Sequence, residues 1–543
     1  MTRMAGRLLV AALLLSPLAA SGDSSGNNKD RFPFLEATVA QLQAEMTAGT
    51  LTSEQLTRAY IRRIAELDQP GPETGLGVNA IIELNPDAIA IARSMDDLRR
   101  QGKVLGPLHG IPVLLKANID THDKMQTTAG SLGLQGTPAL SDSTVAANLR
   151  AGGAVILGKT NLSEWANFRS FESISGWSGV GGQTHNPYGL DRNPCGSSSG
   201  SAVAVAADLA PASLGTETDG SITCPASMNG IVGLKPTVGL LSQRGIVPIS
   251  HSQDTAGPMA RSVAEVALLL TAMVANHAQC EPPAEGCHDG NYVTGLGKDA
   301  LRGRRIGVLR FPDGNHRGLD AVYGRALYRL QAAGATLVEV KFPDTAAIEK
   351  DEQKVLLTEF KVDLKTYLGN APATVSPRNL TQLIEANGIT PGELELFGQE
   401  QFIQADATQG LSDPAYVSAL EESQRLARES IDQLLTQNEL DLLVAPTTSP
   451  AWRVDLIHGD GGGGDSYTTV PAVSGYPHLT VPMGQVQGLP VGLSFIGTAW
   501  SEAQLLAAGD AFSALGATYS PPKFLHSVDD SVLAAPGKDD SKE

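Results

Sequence analysis

Small residues and hydroxyl groups are concentrated in two short segments in the first half of the chain. The first, residues 193–201, is Asn-Pro-Cys-Gly-Ser-Ser-Ser-Gly-Ser, and the second, residues 215–225, is Gly-Thr-Glu-Thr-Asp-Gly-Ser-Ile-Thr-Cys-Pro. With little side chain to obstruct it, such a backbone adopts conformations that most sequences avoid. Each segment alone is compatible with a tight turn. Two of them in close succession, each presenting hydroxyls, favour a site where a ligand closely approaches backbone N–H groups.

The third feature that could take part in chemistry is a lysine that follows an apolar segment. Lys116 directly follows residues 111–115, Ile-Pro-Val-Leu-Leu, which have the pattern of a buried strand. Lysine is seldom fully buried, and its long apolar stem usually allows the amine at a strand end to reach water. Taken alone, this pattern favours a strand end at the surface over a buried lysine that acts as a base.

Apolar segments alternate with amphipathic ones along most of the chain. Strands are predicted at residues 111–115, 154–157, 305–309 and 336–340, and helices at residues 38–68, 144–151, 263–274, 321–333 and 414–435. Thr52 and Gln55 form a capping box in the first helix, and Asp413 precedes Pro414 at the start of the last. Strands that are apolar throughout and separated by helices indicate an α/β fold, with a large mixed β-sheet covered by helices on both faces.

The bulk composition restricts the classes of partner. The chain has 543 residues, a net charge of −18 and a pI of about 5.0, so nucleic acid and anionic membrane surfaces are poor partners. Hydrophobic residues make up 42% and charged residues 18%, a balance typical of folded globular proteins. No CxxC pair or His/Cys cluster has the spacing of a metal site, so no metal is predicted.

The four cysteines give two expectations. Cys280 and Cys287 lie in a polar, Pro-containing loop that an exported protein could close with a disulfide, and two free surface thiols are the alternative. Cys195 and Cys224 lie inside the two Gly/Ser segments. We expect these two to be small buried fillers.

The N-terminus has the pattern of a secretory signal. Two arginines precede the apolar run 8–15, and a small-residue cleavage site follows at residues 19–20. The apolar run is well short of the roughly 20 residues that a membrane-spanning helix needs. We therefore expect residues 1–22 to be removed on export to the periplasm or the medium, with no membrane attachment afterwards. Residues 23–526 are then predicted to form one domain, and residues 527–543 a flexible tail.

Together, the two Gly/Ser segments and the lysine resemble the amidase signature family of serine hydrolases. In that family a Lys after an apolar strand precedes a Gly-Ser-Ser/Gly-Ser/Gly-Gly motif, and a Gly-x-Ser nucleophile follows about two dozen residues later. The corresponding serines here are 24 positions apart (221 − 197). The resemblance implies that Lys116 is the base, Ser197 the bridging serine and Ser221 the nucleophile. It also implies a cis peptide bond between Gly196 and Ser197.

The same resemblance gives further expectations for the site. The backbone N–H groups placed to bind an oxyanion are those of Thr218, Asp219, Gly220 and Ser221. The implied chemistry requires no cofactor. Similar segments extend along most of the chain, at residues 127–131, 158–164, 233–237, 254–258, 445–448, 475–477 and 488–492.

Within the family, the chain looks most like the bacterial peptide amidases, which remove the C-terminal amide from peptides. The likeness lies in residues 165–168, 173–177 and 397–400. Thr223 stands where most members carry an Arg, which leaves a substrate carboxylate without an obvious partner. The resemblance therefore implies a peptide or small-molecule amide as substrate, cleaved through an acyl-enzyme with release of ammonia. Amidases for aryl or aliphatic primary amides are the alternative.

Asp219 is a second departure, because most members have Gly or Ala at this position. A carboxylate next to the Gly-Ser pair could accept hydrogen bonds from the NH2 group of a primary amide, which makes Asp219 a candidate substrate contact. The alternative is a structural acid that is hydrogen-bonded within its own loop.

Three other interpretations remain at this stage. Residues 196–200 match the nucleophile elbow of α/β-hydrolases with Ser198 as nucleophile, although a turn-like segment precedes them instead of a buried strand. A periplasmic solute-binding protein explains export and composition, but neither Gly/Ser segment nor Lys116. A glutamyl-tRNA amidotransferase subunit shares the lysine and the two serines but acts in the cytosol.

Four histidines near the matched segments are predicted to be structural: His109, His185, His251 and His478.

Overall fold

The computed structural model describes residues 32–69, 77–136, 138–274, 290–311, 316–343, 345–460, 464–516 and 519–529. The predicted signal segment, the Cys280–Cys287 pair and residues 530–543 of the predicted tail lie outside these ranges. The described residues from 36 to 529 group into one compact unit. None of the described helices combines the length and the hydropathy that a bilayer crossing requires.

The start of the predicted tail is packed against the rest of the compact unit. Val528 is buried. Asp529 accepts hydrogen bonds from Arg192 and Arg453. These contacts hold the described chain as far as residue 529.

Eleven of the described strands form one sheet. In spatial order they are β1 (Ile81–Leu84), β3 (Val155–Thr160), β2 (Pro112–Lys116), β6 (Ala212–Glu217), β8 (Thr255–Ala260), β7 (Val232–Lys235), β12 (His478–Val486), β13 (Leu489–Ile496), β11 (Leu442–Pro446), β9 (Arg305–Val308) and β10 (Thr336–Glu339). Strand β2 runs parallel to β3 and β6, β9 runs parallel to β10 and β11, and the remaining pairs are antiparallel. A separate pair consists of β4 (Trp177–Ser178) and β5 (Gly182–Gln183).

The helices that accompany this sheet are α1 (Val39–Ala48), α2 (Ser53–Leu67), α3 (Ala88–Arg100), α4 (Thr144–Ala151), α5 (Ser199–Ala206), α6 (Thr223–Met228), α7 (Val263–Val274), α8 (Arg317–Ala332), α9 (Ala346–Gly369), α10 (Leu380–Ile389), α11 (Glu400–Asp406), α12 (Pro414–Gln437), α13 (Thr469–Val473) and α14 (Glu502–Ser513). Strands β2, β3, β6 and β8 are buried along their whole length. Burial of this kind is what a sheet covered on both faces requires. The predicted fold class is confirmed.

The first predicted helix is wrong as a single element. Gly49 has a left-handed backbone with φ of 75°, which ends α1. The capping box of Thr52 and Gln55 then starts α2. Residues 38–68 are therefore two helices joined by a turn, because the glycine and the cap both interrupt the chain there.

Helix α5 is buried on every side, and its small residues allow the neighbouring backbone to approach closely. A Cβ atom on Gly200 would lie 2.3 Å from the carbonyl oxygen of Ala80 and 2.6 Å from that of Asn161. No residue larger than glycine fits at such distances. Because α5 begins one residue after Ser198, this packing also fixes the first Gly/Ser segment.

The two Gly/Ser segments are joined by a disulfide between Cys195 and Cys224, with a Cα–Cα distance of 6.0 Å. The expectation that these cysteines are merely small buried fillers is wrong. Helix α5 runs away from Cys195, and β6 returns the chain to Cys224 at the start of α6. The two thiols therefore meet although 29 positions separate them in the sequence.

Replacing both cysteines with serine should lower the free energy of unfolding by about 3–4 kcal/mol, because a cross-link over a loop of this length restricts the unfolded chain. Urea unfolding of the Cys195→Ser/Cys224→Ser variant and of the wild type measures the difference. Wild-type protein unfolded with a strong reductant should approach the variant. Identical urea midpoints for the oxidised wild type and the variant would contradict the expectation.

Candidate active site

Lys116 is the last residue of β2, and its side chain is fully buried. Its amine nitrogen Nζ lies 2.7 Å from Ser197 Oγ, 2.8 Å from Thr216 Oγ1 and 3.2 Å from Thr216 O. Burial lowers the pKa of Lys116 to about 7, although Asp254 and Glu217 favour the charged form. The strand end is thus in the interior, and near pH 7 a large fraction of the amine is neutral.

Backbone hydrogen bonds hold the first Gly/Ser segment against the second segment and against Ser163. The N–H of Ser198 donates to Ser221 O at 3.1 Å, and the N–H of Ser163 donates to Ser197 O at 3.1 Å. The peptide bond between Gly196 and Ser197 is cis, as the resemblance implies. Ser197 is inaccessible to solvent, whereas Ser221 keeps 7% of its surface exposed. The segments therefore place an enclosed serine beside Lys116 and a serine with outside access on the adjoining turn.

Three consecutive N–H groups of this turn are available to a ligand. Those of Asp219, Gly220 and Ser221 donate to no acceptor among the described residues. Gly220 has φ of 75°, and a Cβ there would lie 3.1 Å from Thr468 Oγ1. The turn thus needs glycine at this position, and it leaves a row of donors unused by the protein.

A buried carboxylate that the sequence analysis missed supports the turn. Glu217, at the end of β6, accepts hydrogen bonds from the N–H groups of Ile222 and Thr223 at 2.8 and 2.9 Å. Burial raises the pKa of Glu217, and the nearby Lys235 opposes this shift. Glu217 therefore spans the turn that carries Ser221. The signal in the sequence that could have identified Glu217 was a charged residue at the end of a strand of small and apolar residues.

Asp254 holds the other side of the turn and was also missed. Thr218 Oγ1 donates to Asp254 Oδ1 at 2.6 Å. The N–H groups of Ile249 and Ser250 donate to Asp254 Oδ2 at 2.8 and 3.0 Å. Burial raises the pKa of Asp254 to about 6. Residues 254–258 resemble the family in sequence, but the sequence does not show that the first of them contacts Thr218.

Asp219 is bonded to a distant part of the chain instead of its own loop. Its Oδ2 accepts a hydrogen bond from Thr469 Oγ1 at 2.8 Å, and its Oδ1 has no partner among the described residues. Burial raises the pKa of Asp219, and the nearby hydroxyls of Thr468 and Thr469 oppose this shift. Asp219 therefore keeps one acceptor oxygen that the protein does not use.

A cavity of about 500 Å³ adjoins the lysine side of the site. Asn118, Thr216 and Thr218 form the wall nearest to Lys116, and Leu134, Val247 and Leu368 contribute apolar surface. Cavities of this size and mixed polarity commonly hold small organic ligands. The cavity therefore has space for an acyl group next to Thr216, which contacts Lys116 Nζ.

One group of described residues has side chains close enough to share a metal ion, namely His251, Glu359 and Asp363. His251 Nδ1 lies 2.9 Å from Asp363 Oδ2, and its Nε2 lies 3.5 Å from Glu359 Oε1. The hydrogen bond to Asp363 raises the pKa of His251. Glu359 also accepts hydrogen bonds from Tyr416 and Ser250. The contacts of His251 with Asp363 and Glu359, and those of Glu359 with Tyr416 and Ser250, account for this group, and we assign it no metal.

The other three histidines named from the sequence make internal hydrogen bonds. Burial lowers the pKa of each, so all three are neutral near pH 7. The contacts are His109 Nε2 with Met95 O, His185 Nδ1 with Leu190 O, and His478 Nε2 with Ser494 Oγ. These contacts fit the predicted structural role.

The sequence model of the amidase family matches residues 55–506 of this chain. A probable amidase from Arabidopsis thaliana is 38% identical over 509 residues, which cover 91% of this chain and 93% of the plant protein. The match thus extends over nearly the whole length of both proteins.

Two solved structures are similar in sequence and in fold. The native peptide amidase from Stenotrophomonas maltophilia is 52% identical with a TM-score of 0.84, over 91% of this chain and all of that one. A peptide amidase in complex with the competitive inhibitor chymostatin is 51% identical with a TM-score of 0.85, over 90% of this chain and 99% of that one. With the buried lysine, the paired serine segments and the mixed sheet, these matches show that the protein belongs to the amidase signature family, whose enzymes hydrolyse amide C–N bonds.

Proposed function

We propose that this protein hydrolyses the C-terminal amide of peptides and releases ammonia through an acyl-enzyme on Ser221. The observation that carries the proposal is the 2.7 Å contact between Lys116 Nζ and Ser197 Oγ, made where burial brings the pKa of the lysine to about 7. The 52% identity to a peptide amidase over 91% of the chain supports a peptide substrate.

In the proposed acylation, Ser221 Oγ attacks the carbonyl carbon of the amide and forms a C–O bond. Its proton passes to Ser197 Oγ while the Ser197 proton passes to Lys116 Nζ. The C–N bond then breaks, and Lys116 returns a proton through Ser197 to the NH2 group, which leaves as ammonia. Water attacks the acyl-enzyme by the same proton route, which yields the carboxylic acid and restores Ser221. These steps balance in atoms and charge without a cofactor.

The proposed oxyanion donors are the backbone N–H groups of Thr218, Asp219, Gly220 and Ser221. Glu217 and Asp254 hold the two ends of this turn, so its shape does not depend on the ligand. A preorganised donor of this kind contributes about 3–4 kcal/mol to the stability of the transition state. The donors therefore supply a large part of the proposed rate acceleration.

We also propose that the protein is exported to the periplasm or the medium. Residues 1–22 have the signal pattern, and the Cys195–Cys224 disulfide joins the two halves of the site. Disulfides persist in oxidising compartments and are rare in the reducing cytosol, so the disulfide supports export. Uncleaved protein confined to the cytosol of its source would contradict this.

Hydrolysis of aryl or aliphatic primary amides is the second candidate. The apolar wall of the cavity, formed by Leu134, Val247 and Leu368, favours it because it would accept an aromatic or alkyl acyl group. Both candidate functions would use Lys116, Ser197 and Ser221 in the same way. They differ in the acyl group of the amide that is cleaved.

Ammonia release from a panel of primary amides separates these candidates. We expect N-acetyl dipeptide amides to give a higher kcat/KM than benzamide or hexanamide. Ser221→Ala should lower kcat on the preferred amide by about 10⁴-fold or more. Ser198→Ala is the matched control, because its hydroxyl is bonded to the Thr216 backbone at 3.0 and 3.2 Å. It should keep kcat within about tenfold.

Each other result of this panel supports a different interpretation. Preference for benzamide or hexanamide would favour the second candidate. Loss of activity in Ser198→Ala but not in Ser221→Ala would favour the nucleophile elbow. Binding without ammonia release from any amide would favour the solute-binding protein.

The pH dependence of kcat/KM tests Lys116. The proposed base must be neutral and its pKa is about 7, so kcat/KM should rise as pH passes through about 7 and level off above it. Lys116→Ala should lower kcat by about 10²- to 10⁴-fold and remove this ionisation. Lys116→Arg, which retains the charge and cannot deprotonate, should be equally impaired. An ionisation near pH 7 that persists in Lys116→Ala would assign it to another group, such as Asp254.

The substrate contact of Asp219 is tested with a primary amide and its N-methyl analogue. Asp219→Ala should reduce the preference for the primary amide by about tenfold, the expected effect of losing one hydrogen bond to a buried carboxyl oxygen. Thr469→Val is the control, because it removes a partner of Asp219 but keeps the carboxylate. An unchanged preference in Asp219→Ala, or the same change in both variants, would mean that Asp219 is structural.

A further inference from the structure

Thr218, the first residue of the nucleophile turn, is held on two sides by consecutive residues of another segment. Its hydroxyl donates to Asp254 Oδ1 at 2.6 Å. Its carbonyl oxygen accepts a hydrogen bond from Gln253 Nε2 at 3.4 Å. Gln253 is 2% exposed, so water has little access to compete for this carbonyl. The side chain and the main chain of Thr218 are therefore both fixed.

The same amide nitrogen of Gln253 has a second acceptor. Gln253 Nε2 donates to Glu352 Oε1 at 2.8 Å, and Glu352 is a buried residue of α9. The two hydrogens of one NH2 group thus serve one carboxyl oxygen and one carbonyl oxygen. Helix α9 anchors Gln253, and Gln253 in turn anchors the carbonyl of Thr218.

Planarity of the peptide group connects this contact to the site. In a trans peptide the C=O and N–H of one plane point in opposite directions. The plane that contains the Thr218 carbonyl also contains the N–H of Asp219. Because Gln253 holds the carbonyl on one side, the Asp219 N–H is directed to the other side, where it has no acceptor among the described residues.

We propose that Gln253 is a positioning residue that aims the Asp219 N–H at the oxyanion of the tetrahedral intermediate. This inference rests on the proposed function, since it concerns the same acyl-transfer site. Gln253 does not touch the reacting atoms and acts through the peptide plane of Thr218 and Asp219. Its effect is therefore confined to species that carry the oxyanion.

The test is Gln253→Leu, which keeps a similar volume and removes the donor. kcat should fall by on the order of 10²-fold, as for other small displacements of a catalytic group, with KM changed less than about threefold. A peptide aldehyde, which forms a tetrahedral adduct with the nucleophile, should lose affinity in proportion to kcat/KM. The carboxylic acid product, bound to the same variant, should keep its affinity because it carries no tetrahedral oxyanion.

Gln401→Leu is the matched control. Gln401 is a buried glutamine of α11 that donates to the main-chain oxygens of Asn167 and Ser170, but not to Thr218 or to a residue that holds the turn. Its kcat should stay within about threefold of the wild type. Both variants are compared by thermal unfolding, so that a loss of fold is recognised.

Three outcomes would overturn the inference. They are equal losses of kcat in the two variants, a parallel loss of affinity for aldehyde and acid, or an unchanged kcat in Gln253→Leu. Each would show that Gln253 serves only the packing of its segment or has no part in catalysis. Failure of the proposed function is seen separately, as wild-type protein that releases no ammonia from any amide.

Discussion

The burial of one amine is the constraint on which the rest of the structure depends. Burying an ammonium group costs free energy because the charge loses its hydration. Here the amine is not paired directly with a carboxylate, and burial lowers the pKa of Lys116 to about 7. Among the described residues, the amine makes its hydrogen bonds with hydroxyl and carbonyl oxygens, those of Ser197 and Thr216. A neutral amine with a serine hydroxyl at 2.7 Å has the geometry that the proposed proton transfer requires.

The carboxyl groups near the site accept hydrogen bonds from the backbone instead of pairing with Lys116. Glu217 accepts hydrogen bonds from the two N–H groups that follow Ser221, and Asp254 accepts from Thr218 and from two N–H groups of its own segment. Each fixes the turn through hydrogen bonds and stays out of contact with Lys116 Nζ. The turn is thereby rigid without using the N–H groups of residues 219–221. Rigidity and unused donors are the two properties that an oxyanion site requires.

Local patterns in the sequence predicted the elements well where the pattern was continuous. Helices at residues 144–151 and 263–274 have the predicted bounds, because an unbroken apolar period and a buried face coincide there. The error at residues 38–68 arose where Gly49 gives the chain a left-handed turn inside one long amphipathic pattern. The Cys195–Cys224 bond escaped prediction because spacing along the chain does not show where α5 and β6 return it.

By itself, the sequence predicted the fold class and the family motif, and it gave Lys116, Ser197 and Ser221 as the candidate catalytic residues, since these depend on residue types at short and regular spacings. It left Lys116 more consistent with a surface strand end when judged alone. Only the tertiary structure decided that this amine is buried, that Glu217, Gln253 and Asp254 support the turn that carries Ser221, and that Thr469 contacts Asp219. Such contacts join positions up to 250 residues apart. Which residues come into contact depends on how the strands and helices pack. The local periodicity of the sequence does not encode this packing.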